Sequence, residues 1–197
     1  MRILVLAAWL LLVPVFLAIH WGPGQVGVKL DETAAKLAQA EQRAANKDYT
    51  GAVESYDEAL KLLPAGSKAE SYRIRVERAK AMMLASKLPE AHADLQSLVE
   101  ELQGDTLADR KLLADARSAF ANAKYYMTWL MRLEGLAREE WEPEIEAARQ
   151  TYKLLAEESG KDGQADAAKK HQEDLEAAIR LARLDLSELQ GLPLPSQ

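Results

Sequence analysis

The stretch from Asn46 to Pro64 constrains this chain more than any other. A polar turn, Asn46-Lys47-Asp48, leads into Tyr49, and Ala52, Tyr56, Ala59 and Leu63 follow at steps of four, three and four. That spacing lines small and large apolar side chains along one stripe of a helix. Pro64 cannot continue the helix and, with Ala65-Gly66 behind it, ends it. The alanines let a second helix come close, so the stripe calls for a helical neighbour.

The rest of the chain has the same vocabulary. Apolar residues make up 48% and aromatics only 6%, with Ala, Leu, Glu and Lys abundant. These are helix formers, and no run of alternating β-branched residues follows residue 30, so the expected fold class is all-α. A length of 197 residues suits one domain of ordinary size plus a short extra segment. A net charge of −6 argues against nucleic-acid binding, which needs a basic footprint. With no cysteine there is no disulfide, thiolate metal site or cysteine nucleophile.

From Asp31 the pattern predicts helices in pairs. The first runs from Asp31, read as its N-cap, to Asn46 with Leu37, Ala40 and Ala44 inward, and the second is the Tyr49–Leu63 element. Ser67-Lys68-Ala69-Glu70 is a capping box opening a third helix, striped by Ala69, Tyr72, Val76, Ala79 and Met83. The fourth follows Ser86-Lys87-Leu88, turns Ala91, Leu95, Leu98 and Leu102 inward and stops at Gly104. Asp105 opens a fifth helix to about Leu133, with Leu112 or Leu113, Ala116, Phe120, Ala123, Met127 and Leu130 as its core stripe. The sixth carries Trp141, Ile145, Ala148, Tyr152 and Leu155, with Pro143 in its first turn, and ends at Ser159-Gly160. A single seventh helix is expected from about Gln164 to Leu189, carrying Ala168, Leu175, Ile179, Ala182, Leu186 and Leu189.

The turn, the Tyr, the Ala-x-x-x-Tyr-x-x-Ala-Leu core and the closing Pro of residues 46–64 resemble the second helix of a tetratricopeptide repeat. Lys87-Leu88-Pro89-Glu90-Ala91 echoes Asp48-Tyr49-Thr50-Gly51-Ala52, although Ala52 and Ala91 are 39 residues apart against roughly 34 in the family. The resemblance covers residues 31–103 by motif and 105–189 by architecture. It implies a right-handed α-solenoid of three TPR-like helix pairs plus a C-terminal capping helix, since such a unit cannot bury its stripe without stacked neighbours. Arg43 departs from the pattern, standing where the family usually has an aromatic.

Residues 1–28 differ in kind. Ile3 to Ile19 holds no charge, Arg2 precedes it, and the next charge is Lys29. The stretch fits a signal anchor, or a cleaved signal peptide, followed by a short linker. Phe16-Leu17-Ala18 is a poor cleavage site and Trp21 suits a membrane interface, so the anchor is preferred. The expected location is therefore membrane-anchored with the domain outside the cytoplasm, or secreted or periplasmic if the segment is removed. The domain is expected over residues 29–189 and a loose tail over 190–197.

No catalytic, cofactor-binding or metal-binding residues are expected. His20, His92 and His171 lie on separate elements without a second ligand at helical spacing, and no phosphate loop, Gly-x-Ser-x-Gly or nucleotide fingerprint occurs. Charge placement says more. The third helix has five bases against two acids and the fifth five against three, whereas the fourth and sixth are strongly acidic. The resemblance makes the third and fifth helices the lining of a concave groove. Arg75 and Arg78 are then candidates for holding an acidic peptide, unless the alternating charges merely pair neighbouring helices. Ser118, Asn122, Tyr125 and Trp129 lie opposite the fifth helix's core stripe and are candidates for the facing wall, unless the aromatics pack under the last helix. The expected function is a protein-interaction scaffold binding a protein or acidic peptide without a cofactor. The alternative is an assembly subunit that oligomerises through its long C-terminal helices.

Overall fold

The computed structural model describes residues 23–190. It is all-helical, with 85% of these residues in eight helices and no strand among them. The helices are α1 (Pro23–Ala45), α2 (Tyr49–Leu62), α3 (Lys68–Leu84), α4 (Leu88–Gly104), α5 (Arg110–Leu133), α6 (Arg138–Lys161), α7 (Ala165–Arg183) and α8 (Leu186–Gln190). They fall into two compact units, residues 1–74 and 75–197, with the boundary inside α3.

In the first unit α1 packs on α2. Ala40, Ala52 and Ala59 are fully buried and Tyr56 nearly so, as the small-residue stripe requires. Asp48 is the N-cap of α2, its carboxylate accepting the Gly51 N–H at 3.0 Å. Arg43 reaches across from α1 and donates to the Gly51 carbonyl at 2.8 Å, close to Glu54. Arg43 thus ties the two helices by a charge-assisted hydrogen bond.

One turn recurs along the chain. At the ends of α1, α3, α5 and α6, an N–H bonds back to the carbonyl five residues earlier: Asp48 to Arg43, Lys87 to Met82, Leu136 to Met131 and Gln164 to Ser159. The residue before each donor, Lys47, Ser86, Gly135 or Gly163, has φ between 60° and 76°. This is the left-handed closure that satisfies the last carbonyls of a helix and turns the chain back. The links α2–α3, through Pro64, and α4–α5, through residues 105–109, are built differently.

In the second unit α4 packs on α5, α5 on α6 and α6 on α7, while α8 returns to α5. Ala91, Leu95, Leu98 and Leu102 of α4 are all buried, as are Trp141, Ile145, Ala148, Tyr152 and Leu155 of α6. Trp129 of α5, Ala178 and Leu181 of α7 and Leu189 of α8 complete the core over α6.

Several boundaries differ from the sequence reading. Helix α1 begins at Pro23, so Asp31 is an exposed mid-helix residue rather than a cap, and residues 23–28 are helix rather than linker. Helix α5 is capped by Asp109, whose carboxylate accepts the Lys111 N–H, and Asp105 instead shapes the preceding turn. Pro143 sits in the second turn of α6, which starts at Arg138. The expected seventh helix is two. Asp185 stops α7, accepting the Glu188 N–H while the Glu188 carboxylate accepts the Asp185 N–H. That reciprocal capping box restarts the chain as α8.

The membrane-anchored location is corrected. Among the described residues no helix is long and apolar enough to cross a membrane. Helix α1 has the length, at 23 residues, but carries Lys29, Asp31, Glu32, Lys36, Glu41 and Arg43. The segment 3–21, on which the expectation was placed, and the tail 191–197 lie outside the described residues.

Gly51 offers a test of the first hairpin. Inside a helix, Gly→Ala ordinarily gains about 1 kcal/mol. Here an added Cβ would overlap the Asp48 carboxylate and lie 2.9 Å from Nη1 of Arg43. The cap would have to swing away, losing ~0.5–2 kcal/mol. Gly51→Ala should therefore lower the melting temperature, and a higher one would show that Asp48 and Arg43 are not so placed.

Candidate functional site

The basic helix α3 and the acidic helix α4 neutralise each other. Arg75 donates to Glu101 at 3.0 Å and to Asp94 at 3.3 Å, and Arg78 donates to Asp94 at 3.0 Å. Both guanidinium groups are largely covered, as is Asp94. Lys80 joins Asp115 of α5 at 3.0 Å. The same logic repeats one helix on, where Lys124 of α5 pairs with Glu144 of α6 at 2.7 Å and His92 of α4 meets the same oxygen at 3.2 Å. Burial pushes the Glu144 carboxyl up, but the hydrogen bond and charge of Lys124, then those of His92, outweigh it and hold the group below its ordinary value. The cations proposed for a groove are thus partners of the neighbouring helix.

Asn122, Tyr125 and Trp129 are brought together, but on a packed side of α5. Trp129 is 6% exposed within the core cluster with Trp141, Tyr152 and Leu181. Its indole N–H has no hydrogen-bond partner among the described residues. Tyr125 is half-buried against it, with ring centroids 6.3 Å apart, and meets Tyr126 edge-on at 5.4 Å. Asn122 accepts a 2.7 Å hydrogen bond from the Tyr152 hydroxyl. Ser118, half-buried, lies a turn earlier on the same side. Helix α7 adds His171 and Asp174, whose Nδ1 and Oδ2 are 3.8 Å apart and both buried without a hydrogen bond among the described residues. Sequence reasoning placed Tyr152 on the stripe of its helix but did not single out His171, Tyr126 or Asp174 as parts of one cluster. These residues come from α5, α6 and α7, so their grouping depends on how the three helices fold together.

The charge state of this cluster is set by burial. Burial pushes the Asp174 carboxyl up, with Lys170 and His171 opposing, and pushes the His171 imidazole down. It also raises the hydroxyls of Tyr125, Tyr126 and, most strongly, Tyr152, with Asp174 adding to the shift in each. The tyrosines stay neutral, and the Tyr152 hydroxyl serves as the donor to Asn122.

The opposite side of α5 is open. A groove of about 380 Å³ is lined by Val99 and Gln103 of α4, Arg117, Phe120 and Lys124 of α5, and Ala147, Gln150, Thr151 and Leu154 of α6. Leu154 is 40% exposed at its rim. Arg117 also borders a second cavity of about 580 Å³, with Arg110, Lys111 and Leu113 of α5 and Leu155, Glu158 and Lys161 of α6. Arg110, Lys111, Arg117 and Lys161 have no ion pair among the described residues. The sequence stripe places Phe120 in the core and counts Arg117 only among the bases of the fifth helix, whereas both line the groove. The signal available was the register Arg110, Leu113, Arg117, Phe120, Lys124, which alternates cation and apolar residue at steps of three and four.

Asp174 gives a test with a definite sign. A carboxyl raised above its usual 3.8 in the folded state costs stability while ionised, and the cost fades as pH falls through its folded value. Asp174→Asn should therefore melt higher than the wild type at about pH 7.5, with the gap closing towards about pH 4. A variant that melts lower at neutral pH, by the same amount at both, would mean that the carboxylate is satisfied where it lies.

No protein-family model matches the chain, and no curated protein matches it.

Proposed function

We propose that the chain is a protein-interaction module built from helix pairs of the tetratricopeptide kind, a solenoid of three pairs with the C-terminal helices as its cap. The recurrent turn supports the pairing. The left-handed closure occurs within each proposed pair, at α1–α2, α3–α4 and α5–α6, and again between α6 and α7, whereas the α2–α3 and α4–α5 links have other geometry. Alanines at 0% exposure, Ala52, Ala59, Ala91, Ala116, Ala123 and Ala148, are the close-packing residues such pairs require.

The observation that carries the binding reading is the open side of α5. Arg75, Arg78 and Lys124 are engaged with neighbouring helices, whereas Arg117, beside an apolar wall of Val99, Phe120 and Leu154, has no ion pair among the described residues. A partner that covers this groove would desolvate both kinds of group at once, which favours anchored binding. The binding face proposed is therefore this groove rather than Arg75, Arg78 and the Asn122–Trp129 side.

A photo-reactive phenylalanine analogue at position 154 of the full chain, expressed in the cells that make it, tests the reading. Irradiation should give a discrete adduct with another protein, and the same analogue at Lys61, on α2, should not. Equal adducts from both positions would count against the groove. An adduct with the mass of two chains would favour the alternative of an assembly subunit.

A further inference from the structure

The two cavities along α5 have an order that specifies what can occupy them. At one end α4 and α6 are closed over the groove by His92, Glu144 and Lys124, which share the Glu144 oxygen. Lys124 lies over the Phe120 ring at 4.5 Å and His92 is tilted against that ring with centroids 5.1 Å apart. The closed end is therefore apolar, and its charges are already matched. Moving towards the start of α5, the groove widens past Arg117 into the larger cavity, where Arg110, Lys111 and Lys161 have no ion pair among the described residues. The acids there are partly committed, since Asp109 spends one carboxylate oxygen capping the Lys111 N–H. Against Asp109, Glu158 and Asp162 in the same lining, the four cations leave a local excess of one positive charge in a chain of net charge −6, and the groove beside Phe120 is lined by Arg117 and Lys124 with no acid.

We infer that this groove takes an extended acidic peptide segment of a partner protein, with an apolar side chain on Phe120 and Leu154 and carboxylates on Arg117 and then Arg110. This rests on the interaction reading above and names the chemistry of its partner. The register sets the partner's spacing. Arg110 and Arg117 are seven residues apart on the helix, roughly 10.5 Å along its axis. A chain in the polyproline-II conformation advances about 3.1 Å per residue with three residues per turn, so carboxylates three residues apart lie on one side and would meet the two cations. Phe120 lies roughly 4.5 Å beyond Arg117, which puts the apolar residue one or two positions from the first carboxylate. Guanidinium groups suit this role because they take a carboxylate with two parallel hydrogen bonds.

The test uses the full chain and a fluorescein-labelled peptide, Gly-Leu-Ser-Glu-Ser-Ser-Glu-Gly, with counterparts in which Lys replaces both Glu or Ser replaces Leu. Fluorescence anisotropy should show the Glu peptide binding best and weakening as salt rises, because partly exposed pairs are screened over ~8–10 Å. Arg117→Glu should weaken it by on the order of tenfold and should bind the Lys peptide better than the wild type does, a gain that unfolding cannot produce. Leu154→Asp should also weaken the Glu peptide, and Lys61→Glu should leave it unchanged. Equal binding of the Glu and Lys peptides, or an Arg117→Glu variant that binds as the wild type does, overturns the inference. If position 154 still captures a partner protein in that case, the groove remains an interaction face and only its acidic specificity is lost. If it captures nothing, the interaction reading falls as well.

Discussion

At the end of α5 a buried guanidinium holds the second unit together. Arg132 is 9% exposed, donates to the carbonyls of Leu181 and Leu184, and lies with its central carbon 4.7 Å from the centre of the Trp141 ring. Those carbonyls belong to the end of α7, where helix geometry leaves acceptors without partners and the macrodipole is negative. One side chain therefore caps α7, fixes its exit into α8 and stacks on α6. Burying a cation is costly unless it is fully hydrogen-bonded or paired, and the arrangement supplies acceptors and an aromatic face together. The core of Trp129, Tyr152, Leu181 and Leu189 is assembled beside this contact.

That anchor decides how α5 is used. With Arg132 and Trp129 turned towards α6, α7 and α8, the side carrying Asn122 and Tyr125 becomes a packed interface with its own polar lining. The register Arg110 to Lys124 is left on the other side, between α4 and α6. Charges elsewhere follow the same economy. Asp94 serves two arginines and Glu144 serves a lysine and a histidine, while Arg110, Lys111 and Arg117 of α5 have no ion pair among the described residues.

Much of the fold was legible in the sequence because it depends on local periodicity. Ala52, Tyr56 and Ala59, and Ala91, Leu95, Leu98 and Leu102, all lie where their spacing put them. The fifth helix was harder. Its apolar residues Met127 and Leu130 were read as core, yet Leu130 is 39% exposed while Trp129 and Arg132 are buried. A stripe cannot foretell that a guanidinium will find two carbonyls some fifty residues further on. Helix starts at Asp31 and Asp105 were misplaced because an aspartate caps a helix only where the backbone already turns. Asp48, Asp109 and Asp185, which do cap, are indistinguishable from them in composition. The groove on α5 was hidden for a further reason. Which cations remain unpaired is settled by neighbours distant in sequence.

The most direct measurement of this account is amide hydrogen exchange on Arg132→Met in the full chain. The methionine keeps much of the apolar stem but removes the donors and the charge, at a cost of roughly 2–4 kcal/mol. Protection should fall first over residues 178–190 of α7 and α8, while α4 and the first turns of α5 keep theirs. Exchange in α7 and α8 equal to that of the wild type would contradict the claim that the Arg132 contact organises the second unit.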